Sequence, residues 1–98
     1  MYKIEFHKEV DKDFKELGNS TALLVFKKLK QLAKNPIIGE DLGHKANINL
    51  VGYKKVYVNN KRVRIVYKII DEKIEVFVIA VGKRDDMEVY KKAEGRIV

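Results

Sequence analysis

The order of hydrophobic and polar positions predicts one strand and two helices in the first third of the chain. Apolar and charged residues alternate over residues 2–6, which is typical of a half-buried strand. Over residues 8–17 the apolar residues recur at helical spacing, and Gly18 supplies a stop signal. A second helix is predicted next, and Asn35-Pro36 ends it. Its predicted apolar stripe consists of Ala22, Leu23, Phe26, Leu29, Leu32 and Ala33.

The rest of the chain reads as a long loop followed by a run of strands. Residues 35–52 contain three glycines and lack a clear period, so they predict a functional loop or a short element, for which residues 48–51 are the candidate. After the loop, β-branched and aromatic residues dominate, which favours strands. Three strand-like runs follow one another at Tyr53–Val58, Val63–Ile70 and Ile74–Val81.

Turn signals between these runs predict how they pair. Asn59-Asn60 is a hairpin signal, and Asp71-Glu72-Lys73 joins the second and third runs, so the three runs should form an antiparallel meander. Gly82 is predicted to end the sheet, and residues 85–97 to form a short final helix. The element order is β-α-α-β-β-β-α. We therefore expect an α+β fold of one domain, residues 1–98, with two N-terminal helices packed on an antiparallel sheet of about four strands.

Strand parity predicts which side chains share a face of this sheet. The alternate positions 63, 65, 67 and 69 form the apolar side, so Arg64 points to the opposite side. By the same rule Lys55 and Tyr57 share the face of Arg64, whereas Lys54 points inward and its long stem reaches out to solvent. Two residues from beyond the third run are expected to reach the same surface. The predicted cluster consists of Lys55, Tyr57, Arg64, Arg84 and Tyr90.

The charge of the chain is concentrated in its middle. The formal net charge is +7, and residues 27–68 carry eleven Lys and Arg against two acids. Residues 54–68 contain six cations and no acid. Such an asymmetry predicts a surface that binds a polyanion. The alternative is a solvated basic face that serves solubility, but solubility does not require a local absence of acids.

Several classes of protein are not indicated by this sequence. It contains no cysteine, which excludes disulfides and thiolate metal sites. It lacks a glycine-rich phosphate loop, a nucleophile elbow and metal-ligand spacing, so neither a metal nor a cofactor is predicted. His7 and His44 lie in different segments without a carboxylate at a suggestive spacing. No apolar run is long enough to span a bilayer and the N-terminus is not a signal peptide, so we expect a cytoplasmic protein.

One long segment resembles a known family. The run RIVYKIIDEKIEVFVIAVGKRDDMEVY, from Arg64 to Tyr90, resembles the C-terminal half of RelE-type toxins of type II toxin–antitoxin systems, in the RelE/ParE superfamily. Leu17-Gly18 and Asn35-Pro36 also match. The resemblance implies a metal-free endoribonuclease, an mRNA interferase that cuts mRNA in the ribosomal A site by 2′-OH attack and leaves a 2′,3′-cyclic phosphate. It implies as partners a cognate antitoxin and the ribosome with its mRNA and 16S rRNA, without membrane or direct DNA binding.

The resemblance also implies roles for single residues. Lys55 would act as general base, Arg64 would hold the phosphate, Arg84 would stabilise or protonate the leaving oxygen, and Tyr90 would stack on a base or steer the nucleophile. Tyr57 departs from the family, which has a lysine there. Crowding of like charges is expected to lower the pKa of a lysine such as Lys55. The further RNA-binding candidates are Lys54, Tyr57, Lys61, Arg62, Lys68 and Lys83.

Two other functions remain open at the level of the sequence. A ParE-like toxin of the same fold inhibits DNA gyrase without catalysis, and such toxins lack the basic catalytic set. A toxin that binds RNA with reduced catalysis is the other alternative, and the tyrosine at position 57 is the feature that favours it.

Overall fold

Helices and strands alternate along the part of the chain that the computed structural model describes, residues 1–84 and 87–97. The helices are α1 (Val10–Leu17), α2 (Asn19–Lys34) and α3 (Glu88–Gly95). The strands are β1 (Lys3–Phe6), β2 (Glu40–Asp41), β3 (His44–Lys45), β4 (Ile48–Asn49), β5 (Lys54–Val58), β6 (Val63–Ile70) and β7 (Glu75–Lys83). Short 3-10 turns cover Pro36–Ile38 and Asp71–Lys73. None of these helices is long and apolar enough to cross a membrane.

The main sheet is mixed and has five strands, in the order β1-β7-β6-β5-β2. The α+β class and the antiparallel meander of β5, β6 and β7 agree with the prediction. The expectation of an all-antiparallel sheet of about four strands was wrong, because β1 runs parallel to β7. Tight turns dictate the direction of neighbouring strands, whereas β1 is separated from the meander by two helices that can return the chain in either direction.

Residues 40–49 are more ordered than the sequence indicated. Strand β2 extends the main sheet by pairing with β5, and β3 and β4 form a separate two-stranded ribbon. The short element expected at 48–51 overlaps β4. Two-residue strands are too short to produce a periodic pattern, which explains why β2 and β3 were not predicted.

Gly82 does not end the sheet, contrary to the prediction. Strand β7 continues to Lys83, and Gly82 pairs with Arg64 of β6. A methyl group at Gly82 would lie 3.2 Å from Cβ and Cγ2 of Val89, so the glycine permits α3 to pack closely on the strand. Helix α3 spans Glu88–Gly95, and residues 85 and 86 of the predicted helix lie outside the described residues.

A hydrophobic core lies on each side of the sheet. Helices α1 and α2 cover one side, where Val25 and Leu32 of α2 belong to the same buried cluster as Ile65 and Tyr67 of β6. Helix α3 and the β3–β4 ribbon cover part of the other side. The predicted stripe of α2 was partly wrong, since Leu23 and Phe26 are exposed and Val25 is fully buried. Burial of an aliphatic side chain contributes roughly 1.5–3 kcal/mol, so both cores stabilise the sheet.

A buried carboxylate ties α1 and α3 to β7. Asp13 of α1 is 1% exposed and accepts a hydrogen bond from the backbone N–H of Val81 at 3.0 Å. Its two oxygens also accept from Nη1 and Nη2 of Arg96, at 2.8 and 3.0 Å, and Lys92 Nζ lies 2.9 Å away. Because Lys92 and Arg96 lie at and just beyond the end of α3, this network fixes how the helix sits on the sheet.

The Asp13 network also sets the ionisation of its carboxyl group. Burial alone raises the pKa of Asp13, but the hydrogen bonds from Arg96, from the Val81 amide and from Lys92 outweigh burial and hold that pKa below its usual value. A lowered folded-state pKa means that the ionised carboxylate stabilises the fold. This contribution is complete above the pKa of the unfolded chain and is lost as pH falls through the folded pKa.

We expect Asp13→Asn to lower the free energy of unfolding by about 3 kcal/mol, because it leaves Arg96 and Lys92 near a neutral amide. Urea denaturation at neutral pH measures this change. The difference from the unmodified protein should shrink as pH falls below about 4, the pKa of an aspartate in the unfolded chain, and towards the lower pKa of Asp13 in the folded protein. Asp11→Asn, on the exposed side of the same helix, is the control and should change little; equal stability of both variants would contradict the assignment.

Candidate active site

Two strands and one helix bring four of the five predicted cluster residues together on one face of the sheet. Lys55 and Tyr57 come from β5, Arg64 is directly opposite Tyr57 on β6, and Tyr90 comes from α3. Lys55 Nζ donates a hydrogen bond to the Tyr57 hydroxyl at 2.9 Å. The Cζ atom of Arg64 lies 5.3 Å from the centre of the Tyr57 ring and 5.1 Å from that of Tyr90. The guanidinium group is therefore held by two aromatic rings, which is a favourable cation–π arrangement.

This cluster opens onto a cavity of about 300 Å³ between the sheet, the loop after β2 and α3. Glu40, Lys55, Arg64 and Tyr90 line it. Arg64 Nε and the Tyr90 hydroxyl are buried and have no hydrogen-bond partner within residues 1–84 and 87–97. A buried polar group without a partner costs about 1–3 kcal/mol. Both atoms can donate a hydrogen bond, so each would be satisfied by an acceptor such as a phosphate oxygen that reached it.

The hydrogen bond between Lys55 and Tyr57 sets the protonation of both groups. It raises the pKa of Lys55 above its ordinary value and lowers the pKa of Tyr57. The expectation that crowded cations lower the pKa of Lys55 was wrong, because the nearby phenol oxygen outweighs the effect of burial. Lys55 therefore remains an ammonium group at neutral pH in this arrangement, suited to bind an anion.

Arg84 lies at the same end of the sheet but lines a different depression. Its backbone N–H donates to the carbonyl oxygen of Arg62 at 2.7 Å, which extends the β6–β7 pairing by one step. Arg64 pairs with Gly82, and Arg84 lies two residues beyond Gly82, so Arg64 and Arg84 are diagonal neighbours. The Cα atoms of such diagonal neighbours are about 7–8 Å apart. The side chains around Arg84 differ from those of the main cavity. The second depression is lined by Thr21, Asn59, Asn60, Lys61, Arg62, Val63, Lys83 and Arg84.

The remaining predicted RNA-binding residues lie outside the main cavity. Lys61, Arg62 and Lys83 line the second depression. Lys61 also reaches the cluster, with Nζ 5.7 Å from the centre of the Tyr57 ring. Lys54 stands opposite Tyr67 on the helix side, as parity predicted, and forms an ion pair with Asp41 at 2.8 Å. Lys68 Nζ lies 5.4 Å from the centre of the Tyr53 ring. Lys54 and Lys68 therefore contact groups outside the cluster.

Glu40 is a residue of the cavity that the sequence did not single out. Its position depends on β2, which is held by Tyr67: the Tyr67 hydroxyl donates to the carbonyl oxygen of Pro36 at 2.6 Å and accepts from the backbone N–H of Gly39 at 3.1 Å. Burial raises the pKa of Tyr67 to about 12, so this hydroxyl keeps its proton. A Cβ at position 39 would collide with the Tyr67 hydroxyl and lie 2.9 Å from the carbonyl oxygen of Lys55. Glycine is therefore required there.

Comparison with known proteins identifies the family. The model of the ParE toxin of type II toxin–antitoxin systems matches residues 4–88. The chain therefore belongs to this family, within the RelE/ParE superfamily of toxins. Among the described residues, no group of three or more His, Asp or Glu side chains is placed to hold a metal ion.

Among the members of this superfamily, the chain is similar to RelE toxins in particular. The chain is 36% identical over 100 residues to the mRNA interferase toxin RelE of Escherichia coli (strain K12), covering 99% of this chain and 98% of that protein. The mRNA interferase RelE of Shigella flexneri is equally similar. A mutant of the E. coli toxin RelE in the free state has 32% identity and a TM-score of 0.78, with 99% of this chain and 98% of that chain covered. These similarities support an endoribonuclease as the enzyme class.

The Lys55–Tyr57 pair can be tested by titration. Tyr57→Phe removes the oxygen that stabilises the ammonium group, so the pKa of Lys55 should fall. An NMR pH titration of the lysine side-chain carbons measures it. Tyr53→Phe is the matched control, since its ring contacts Lys68 instead, and should leave Lys55 unchanged. An unaltered Lys55 pKa in Tyr57→Phe would contradict the role given to this hydrogen bond.

Proposed function

We propose that this toxin is a ribosome-dependent mRNA endonuclease that cleaves mRNA in the ribosomal A site and thereby inhibits translation. The observation that carries the proposal is the pair of cations, Lys55 and Arg64, held by two tyrosines at a cavity with unpartnered polar atoms. A phosphodiester is the group in mRNA that such a site fits. The full-length similarity to mRNA interferases supports the same substrate.

The proposed reaction is attack of a ribose 2′-OH on the adjacent phosphorus, which yields a 2′,3′-cyclic phosphate and a 5′-OH. Arg64 binds the phosphate oxygens and stays charged at every accessible pH, so it stabilises the phosphorane. Lys55 adds a second positive charge. Tyr90 lies beside Arg64 and orients the nucleotide, and Arg84 approaches the leaving oxygen from the adjoining depression. The resemblance assigns the general base to Lys55, but a raised pKa makes this residue a better cation than proton acceptor.

The cleavage reaction is proposed to depend on the ribosome because the site on the toxin is open to solvent. The cluster supplies charge, but no described element encloses a strand of RNA and fixes the 2′-OH in line with the leaving oxygen. Positioning of reactants contributes up to about 7–11 kcal/mol to catalysis, and the mRNA in the A site already has a fixed path. The basic residues 54–68, with Lys83, would bind 16S rRNA and mRNA phosphates around the cavity. Lys61 and Arg62 are central to this surface, and Lys54 and Lys68 peripheral.

A cognate antitoxin is the second proposed partner. Solved relatives include the intact E. coli RelBE toxin–antitoxin complex, with a TM-score of 0.72 at 30% identity over 88% of this chain and all of that chain. An E. coli RelE mutant has also been solved with a peptide of the antitoxin RelB. An acidic partner that covers Arg64 and Lys55 would compete with RNA for the same charges. Residues 1–98 would act as a single toxin domain in the cytoplasm, where ribosomes translate.

Arg64→Ala tests the proposal at its centre. It should reduce cleavage of ribosome-bound mRNA by about 10²–10³-fold, the usual effect of losing one charged stabiliser of a transition state. Mapping of mRNA ends on translating ribosomes measures this. Lys30→Ala, on the exposed side of α2, is the control for the loss of one positive charge. Unimpaired cleavage by Arg64→Ala would exclude the proposed site.

Arg84→Ala tests whether the second depression takes part. It should restore growth to cells that express the toxin while the fold is retained, because the leaving oxygen loses its charged neighbour. The colony count with and without induction measures toxicity. A variant that stays fully toxic would remove Arg84 from the site. A DNA-damage response of the unmodified toxin without mRNA cuts would instead favour a gyrase inhibitor.

A further inference from the structure

The proposed reaction needs a proton acceptor, and most candidates are unsuitable in this structure. Lys55 is held as an ammonium group by Tyr57. His7 follows β1, where its Nδ1 accepts a hydrogen bond from the backbone N–H of Glu9 at 3.0 Å, and neither His7 nor His44 lines the cavity. The acids that line the cavity are Glu40 and Asp41. Among the described side chains that line the cavity, these two carboxylates therefore remain as candidate proton acceptors.

The pairing of β2 with β5 separates the two acids. Asp41 is opposite Lys54, and Glu40 is opposite Lys55. Side chains directly opposite each other in an antiparallel pair lie on the same face, with Cβ atoms about 4.5–5.5 Å apart. Asp41 therefore faces away from the cluster, and its ion pair with Lys54 occupies it. Glu40 faces the cluster, and none of the ion pairs or side-chain hydrogen bonds among the described residues involves it.

The backbone that carries Glu40 is fixed on both sides. The two hydrogen bonds of the Tyr67 hydroxyl fix the chain at Pro36 and Gly39, immediately before β2. The backbone of β2 is paired with β5, the strand that carries Lys55. A proton acceptor on a rigid element keeps the geometry that catalysis requires.

We propose that Glu40 is the general base of this endonuclease, and that Lys55 serves as a cation beside it. This inference rests on the proposed function. The Glu40 carboxylate takes the proton of the ribose 2′-OH while the 2′-oxygen forms its bond to phosphorus. The bond from phosphorus to the 5′-oxygen breaks, and that oxygen takes a proton from water. Lys55 and Arg64 stabilise the negative charge on the phosphate oxygens throughout.

The negative charge of Glu40 is unfavourable for a merely electrostatic role. An acid among phosphate-binding cations repels RNA, so a carboxylate without a chemical role would weaken the site. If Glu40 only reduced the local positive charge, its removal would tighten RNA binding and leave cleavage unchanged or faster. If Glu40 accepts the proton, removal must slow the chemical step even though RNA binds at least as well. These two roles therefore predict opposite changes in rate.

Single-turnover cleavage of mRNA on programmed ribosomes distinguishes them. We expect Glu40→Gln to reduce the cleavage rate at saturating toxin by about 10²–10⁴-fold, the range for loss of a general base. The toxin concentration for half-maximal rate should stay equal or fall. Glu72→Gln, in the turn between β6 and β7, removes the same charge and is the control. A cleavage rate of Glu40→Gln equal to or above that of the control would overturn the proposal.

A pH profile of the unmodified toxin tests the proposal without any substitution. If Glu40 and not Lys55 is the base, the rate from pH 6.5 to 8.5 should not follow the fraction of neutral lysine, which is small because the pKa of Lys55 is raised. A lysine base predicts a rise of about tenfold per pH unit over that range, because the fraction of neutral amine grows tenfold. Such a rise would reject Glu40. Absence of mRNA cleavage by the unmodified toxin would reject the proposed function itself, which keeps the two failures distinct.

Discussion

The register of β5 between β2 and β6 is the constraint on which the site depends. It sets Tyr57 opposite Arg64 and Glu40 opposite Lys55. Glu40, Lys55 and Arg64, from three strands, therefore line the same cavity, and Tyr57 packs beside Arg64. Because side chains alternate along a strand, a slip of one residue would turn the site residues of β5 toward the helices. The aliphatic residues of β5 prevent this slip, since Val56 and Val58 are buried against the helix-side core.

One face of the sheet carries the larger hydrophobic core, and the other carries the candidate active site. The helix side is apolar and contains Tyr67, whose hydroxyl holds the segment before β2. The opposite side has a smaller core and a polar cavity. Helix α3 contributes to both, because Val89 is buried in this core and Tyr90 lines the cavity. Asp13 anchors this helix from α1. A residue far from the cavity therefore contributes to the position of a side chain within it.

Much of the site could be predicted because strand parity is a local rule. Alternation alone placed Lys55, Tyr57 and Arg64 on one face, and Tyr90 was expected to reach that face from the final helix. The resemblance to RelE-type toxins implied roles for these residues. Parity could not reveal that the Arg84 side chain lines a neighbouring depression. Arg84 lies one residue beyond the end of β7, where the alternation of a strand no longer applies. Parity could not find Glu40 either. A strand of two residues leaves no periodic trace, and its partner is more than ten residues away in sequence.

The sequence by itself determined the α+β class, the antiparallel meander and the basic surface, because turn residues, alternation and charge act over a few neighbouring positions. Only the tertiary structure decided the direction of β1, the continuation of β7 through Gly82, the buried face of α2 and the protonation of Lys55. The first three depend on contacts between segments distant in the chain, such as the pairing of Gly82 with Arg64. The hydrogen bond of Lys55 to Tyr57 reversed the expected pKa shift because its effect depends on atomic distance, which no residue pattern contains.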